Sequence, residues 1–282
     1  MSIRAVVSKD FLDARRAKVV WFVGIHYTLL IVLFFLQVRL GSAEGPPDLL
    51  VALWNMVFVG AVFVPAIALV AAYLSIAGER ESGSIKHLLS TPVSRRDVVL
   101  GKYISRAGIV AASLGLGFAV AAVLAVAWFD SLYAAVFVRI AALTTIYALA
   151  YVAVAIGISA ITASRSRAMA GALGFYLMTN LVTLNDDISG LAGIEYVLNT
   201  VLGLGIGEDP IQFLGMLTNP TRAYLVATIG VFPDGLLETM DLPTPDTLSW
   251  YVQPEIAVVI VGLWLLLPVL VGVRQFERAN IS

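Results

Sequence analysis

The chain has 282 residues, 60 % of them apolar and 13 % charged, with a mean hydropathy of +0.91. A soluble globule covers its surface with about a quarter charged residues, so this composition excludes one and implies a polytopic membrane protein. The net charge of −1 offers no field for nucleic acid, and the lack of cysteine excludes disulfides, iron–sulfur clusters and thiol chemistry.

The N-terminal eighteen residues read as a basic amphipathic helix. Ile3, Val6, Val7, Phe11, Ala14 and Ala17 share a face at 100° per residue, with Arg4, Arg15 and Arg16 off it. Such a helix, abutting a membrane span, suits an interfacial elbow over 1–18. Six apolar runs follow: Val19 to Leu40, Leu53 to Ala77, Ala107 to Phe129, Ala141 to Ile161, Ala168 to Leu184, and Ile256 to Val273. A spanning helix needs about 20 such residues, and the last two runs are short. The first run is too long for a signal-peptide core, and its flank holds Asp10 and Asp13. The expected fold is an all-α integral membrane protein, with 19–282 forming a single six-span transmembrane domain.

Between the fifth and sixth runs lies a connection of about seventy residues, 185–254, too long to be structureless. Within it, Ile211 to Phe232 is long enough to cross. Arg222 near its middle would cost about 2.5–3.5 kcal/mol on the insertion scale, so the stretch is expected to be external or interfacial. With Ile188 to Leu204, which shows helical spacing, it would form an external helical cap.

Fifteen of the eighteen basic residues fall on one side of this arrangement, and thirteen of the nineteen acidic ones on the other. By the positive-inside tendency both termini are cytoplasmic. The connection between spans two and three, 78–106, is then cytosolic and is the most densely charged part of the chain. Ser84 to Ser90 reads as a short helix with Ile85, Leu88 and Leu89 on one face, stopped by Thr91 and Pro92. Those three side chains would either lie against the bilayer or enter a groove on a partner. Ser94 is expected to cap the next helix, with Asp97 in capping-box position.

Glu79-Arg80-Glu81-x-Gly83, then Leu88-Leu89-x-x-Pro92, then Arg95 or Arg96 and Gly101-Lys102, resembles the signature loop of the ABC type-2 permease family, the membrane subunits of ATP-binding-cassette exporters. The elbow, the long segment before the last span, Asn219 to Tyr224 ("NPTRAY") and the tail with Phe276, Glu277 and Arg278 fit the same pattern. The resemblance implies a coupling helix after span two that docks into a cytosolic ATPase. Glu79, Arg80, Glu81 and Gly83 would form the turn beside that contact, and Ile85, Leu88, Leu89 and Pro92 its apolar part. Arg165 and Arg167 in the shorter loop would form a second contact. It also implies a second permease copy or a related permease, with ATP and Mg bound by the partner ATPase and no cofactor in this chain.

No G-x-x-x-x-G-K-[ST] loop is present, so any ATP is hydrolysed by another chain. His26 and His87 have no partner at metal spacing, and Asp186-Asp187 reads as a solvated turn. No Asp, Glu or Lys falls mid-span, which argues against proton-coupled transport. The six methionines form no cluster that would indicate a copper cargo. From the residues alone a second reading stands: a membrane anchor for a cytosolic complex that transports nothing.

Overall fold

The computed structural model describes residues 3–16, 18–41, 48–129, 133–181 and 190–280, and among these the regular structure is entirely helical. In chain order the helices are α1 (Ile3–Arg16), α2 (Val19–Gly41), α3 (Leu49–Ala72), α4 (Ala77–Glu81), α5 (Ser84–Leu89), α6 (Arg95–Trp128), α7 (Ala134–Ile161), α8 (Arg165–Tyr176), α9 (Gly190–Glu195), α10 (Glu208–Thr218), α11 (Pro220–Ile229), α12 (Asp234–Thr239) and α13 (Pro254–Arg278). Among the described residues five helical stretches are long and apolar enough to cross a membrane: Trp21–Gly41, Leu49–Glu81, Arg95–Trp128, Ala134–Ile161 and Pro254–Arg278. The expected fifth span is helical through α8 and a π-helical turn, Leu177–Leu181, and its last residues lie outside the described ones, as do Ala17 and Asp186-Asp187.

Helix α7 is the axis of the bundle. About 72 % of its apolar window is buried, against 22 % for α2, which leaves Ile25, Leu29 and Leu33 on the outside. The most extensive packing is between α7 and α13. Their backbones meet where a Cβ on Gly157 would stand 2.7 Å from the Pro268 carbonyl oxygen and one on Gly272 3.0 Å from the Gly157 Cα. Without lipid-excluded hydrophobic driving force, such close van der Waals approach holds membrane helices together.

A buried polar network crosses the centre of the bundle. Tyr147, at the midpoint of α7, donates to the Ala61 carbonyl at 2.8 Å and pairs with the Thr221 hydroxyl at 2.9 Å. The Tyr151 hydroxyl meets Thr179 at 2.8 Å and Thr221 at 2.6 Å, and Thr144 meets Tyr224 at 2.9 Å. Tyr147 and Tyr224 stack with ring centroids 4.1 Å apart. Each hydroxyl is thereby satisfied where no water is at hand.

These contacts change the reading of Ile211 to Phe232. The segment is not a cap lying over the bundle. Helices α10 and α11 form a hairpin whose turn, Asn219-Pro220, reaches the midpoints of α3 and α7. Asn219 caps α11 by accepting from the Thr221 amide at 2.9 Å and donates to the Thr179 carbonyl at 2.9 Å; Pro220 takes the first helical position, where its missing N–H costs nothing. The outer ends of the hairpin lie near the start of α13, through Phe213 on Tyr251 and Gly230 on Pro254. Arg222, the residue that argued against burial, donates to Gln212 Oε1 from Nε at 3.2 Å and Nη2 at 2.7 Å. Thr221, Ala223 and Tyr224 are all buried.

Candidate functional site

The charged connection after α3 folds as α4, a turn at Gly83, and α5. Gly83 caps α5 with φ +76°, a conformation that a side chain would strain. Thr91 closes the helix by donating to the Leu88 carbonyl at 2.7 Å. Ser94 and Asp97 form the expected capping box at the start of α6.

Each member of the Glu-Arg-Glu triplet fastens a different element. Glu79 Oε1 lies 3.0 Å from Lys102 Nζ of α6 and 3.3 Å from Lys9 Nζ of α1. Arg80 Nη1 donates to the Ala160 and Thr162 carbonyls at 3.0 and 2.9 Å, closing the C-terminal end of α7. Glu81 Oε2 accepts from the Arg165 amide at 2.6 Å, at the N-terminus of α8. Ser159 of α7 replies by accepting from the Ile76 and Ala77 amides at 3.0 and 2.9 Å, which caps α4. The two loops named in the sequence are thus joined, with Arg165 and Arg167 exposed beside α4.

The expected outward face of α5 is turned inward. Ile85 is 1 % exposed and Leu88 8 %, and both belong to the continuous apolar core; Leu89 is half-buried against it. Burying them against the chain itself removes apolar surface from water without any partner. The exposed residues of the loop are Glu81, Ser82, Lys86, His87, Ser90, Pro92, Ser94 and Arg96. With Arg165 and Arg167 they make a predominantly cationic surface.

Asp10 and Arg106, which the sequence did not single out, join Arg95 and Lys102 of the signature loop to complete the site. Asp10 of α1 is 3 % exposed, with Lys102 at 3.2 Å and Arg106 at 2.8 and 3.1 Å. Burial alone would raise the Asp10 carboxyl; Lys102 and Arg106 outweigh it and hold it below its usual range. Arg106 also donates to the Ala71 carbonyl at 2.9 Å. Alongside, Gly101 admits Val6 of α1 so closely that a Cβ there would lie 2.8 Å from it. Arg95 Nη1 stands 2.5–3.0 Å from the carbonyls of Phe276, Glu277 and Ala279, anchoring the end of α13. The clue to Asp10 was its register: it follows Val6 and precedes Ala14 on the buried stripe, whereas Phe11 is 44 % exposed.

A helical membrane protein with a charged loop, ion-paired and hydrogen-bonded to its neighbours, at one end of its long helices is the class that this geometry defines. The model of the ABC-2 family transporter proteins matches residues 4–281, and the chain belongs to that family. Relatives include the probable ABC transporter permease protein NosY of Stutzerimonas stutzeri, 28 % identical over 199 residues, which are 66 % of this chain and 68 % of that protein. The protein of the same name from Pseudomonas aeruginosa is 28 % identical over 175 residues, 60 % of each chain. The chain is accordingly a membrane subunit of an ABC transporter.

Proposed function

We propose that this chain is the permease subunit of an ABC exporter in the cell membrane. Two permease chains, identical or related, form the pathway; a separate cytosolic ATPase subunit binds ATP and Mg and hydrolyses the nucleotide. Both termini, α4, α5 and the start of α8 face the cytoplasm, α1 serves as the elbow, and the segment beginning at α8 makes the sixth crossing.

The observation that carries this reading is the fastening of one short loop to four other helices, α1, α6, α7 and α8. Force applied to α5 passes through Gly83 to α4, and from Glu79, Arg80 and Glu81 to α6, α7 and α8. Ile85 and Leu88 act from inside, keying α5 to the bundle. The partner meets Lys86, His87, Ser90 and Pro92, with Arg165 and Arg167 as the second contact. A cationic surface calls for acidic groups in the ATPase groove.

The test is co-purification and vesicle transport with the double variant Lys86→Glu/His87→Glu. It inserts normally, and the ATPase retained with it falls by about tenfold or more. Glu79→Ala and Gly83→Val leave the ATPase bound but lower ATP-dependent transport. Wild-type retention and transport in all three would refute the assignment.

A further inference from the structure

A cavity of about 540 Å³ opens between α1, α3, α4 and α6, beside the first residue of α8. Its inner wall is Asp10, Lys102 and Arg106, closed on one another. At its rim stand Lys9 and Asp13, each 47 % exposed in the side chain, and Arg165, 58 % exposed. Two groups in the wall are unsatisfied among the described residues: the hydroxyl of Ser75, a residue 6 % exposed, and Glu79 Oε2. Val70, Ala71 and Leu74 of the α3 side give the lining its apolar part. Val70 is 51 % exposed and lies two turns along α3 from the exposed Phe63, so an uncovered apolar track runs from the polar chamber towards the middle of the span.

A polar chamber at the foot of an apolar track fits an amphiphile. The lining basic residues, Lys9, Lys102, Arg106 and Arg165, nearly balance the acidic Asp10, Asp13 and Glu79. Near balance disfavours a purely anionic headgroup. The Lys9 and Arg165 cations at the rim suit a phosphate, and the exposed Asp13 carboxylate beside them suits an N–H donor. A quaternary ammonium has no N–H to give. We propose that this cavity binds one membrane phospholipid whose headgroup carries a phosphate and a primary ammonium, its acyl chain along Val70 and Phe63.

The test is native mass spectrometry of the full-length chain in detergent. It is given equimolar phosphatidylethanolamine, phosphatidylglycerol and phosphatidylcholine, with inorganic phosphate in a separate arm. One phosphatidylethanolamine is retained per chain, about tenfold over the other two, and millimolar phosphate does not displace it. Lys9→Ala/Arg165→Ala weakens retention of all three lipids. Val70→Trp, which blocks the track, abolishes the bound lipid while the thermal unfolding midpoint stays at the wild-type value. Equal retention of the three lipids, or retention unaffected by these variants, would overturn the proposal. Displacement by phosphate would make the cavity a small-anion site instead. A chain-to-chain cross-link from V70C would assign the track to a second copy; both results reject the lipid. None of these outcomes bears on the ATPase contact at α5.

Discussion

Asp10 holds two buried cations in place, and its removal isolates them. Asp10→Ala is expected to cost about 3–5 kcal/mol, because Arg106 is left buried with no carboxylate and Lys102 keeps only Glu79. Replacing both members, Asp10→Leu with Arg106→Met, recovers much of that loss, since an apolar pair needs no solvation. Unfolding in detergent by denaturant measures both. The pH dependence has a definite sign. A carboxyl with a depressed folded pKa contributes stability above its unfolded value near 3.9. That contribution is complete above about pH 5 and is lost as pH falls through about 4 and below. Asp10→Leu/Arg106→Met loses less over that range than the wild type. This residue shows what a linear reading misses: helical register places Asp10 on the buried stripe, but the answering Lys102 and Arg106 come from α6, more than ninety positions away. Gly83, Ser94 and Asp97 were legible because their chemistry is local, completed within three or four residues.

Helix α5 and the hairpin α10–α11 are the elements whose surroundings differ from their sequence appearance. The spacing of Ile85, Leu88 and Leu89 identifies an apolar face, yet periodicity gives no information about what the face meets. Here it is the chain's own core. In the hairpin, the insertion cost of an isolated arginine argued for an external segment. Gln212 on the facing helix accepts from Arg222 twice, and Asn219 and Pro220 satisfy the turn, so the cost is offset locally. The cysteine-free background allows a direct check. A membrane-impermeant maleimide applied to intact cells should label D234C or E238C readily and N219C or T221C at least tenfold more slowly, since only the latter sit in the turn that reaches the midpoints of α3 and α7. Equal labelling of all four would return the hairpin to the surface.

At the scale of the whole molecule, composition was enough for membrane class and an all-helical fold, because the cost of unpaired backbone in lipid leaves few alternatives. Among the described residues five helical stretches are long and apolar enough to cross a membrane, and the family match extends over residues 4–281. The centre of the bundle was not legible. Tyr147, Tyr151, Thr221 and Tyr224 are scattered along the sequence and become one network only when α11 enters beside α7. The same holds for the loop end, where Glu79, Arg80 and Glu81 each belong to a different contact.

The account turns on α5 as the place where a nucleotide-driven partner meets these spans. The most direct measurement is cross-linking from H87C in inside-out membrane vesicles that contain the chain's ATPase subunit, with and without ATP. The account predicts a cross-link to an ATP-binding-cassette ATPase whose yield changes with nucleotide, and no labelling of H87C from outside intact cells. Labelling from outside, or the absence of any nucleotide-hydrolysing protein at this position, would contradict it.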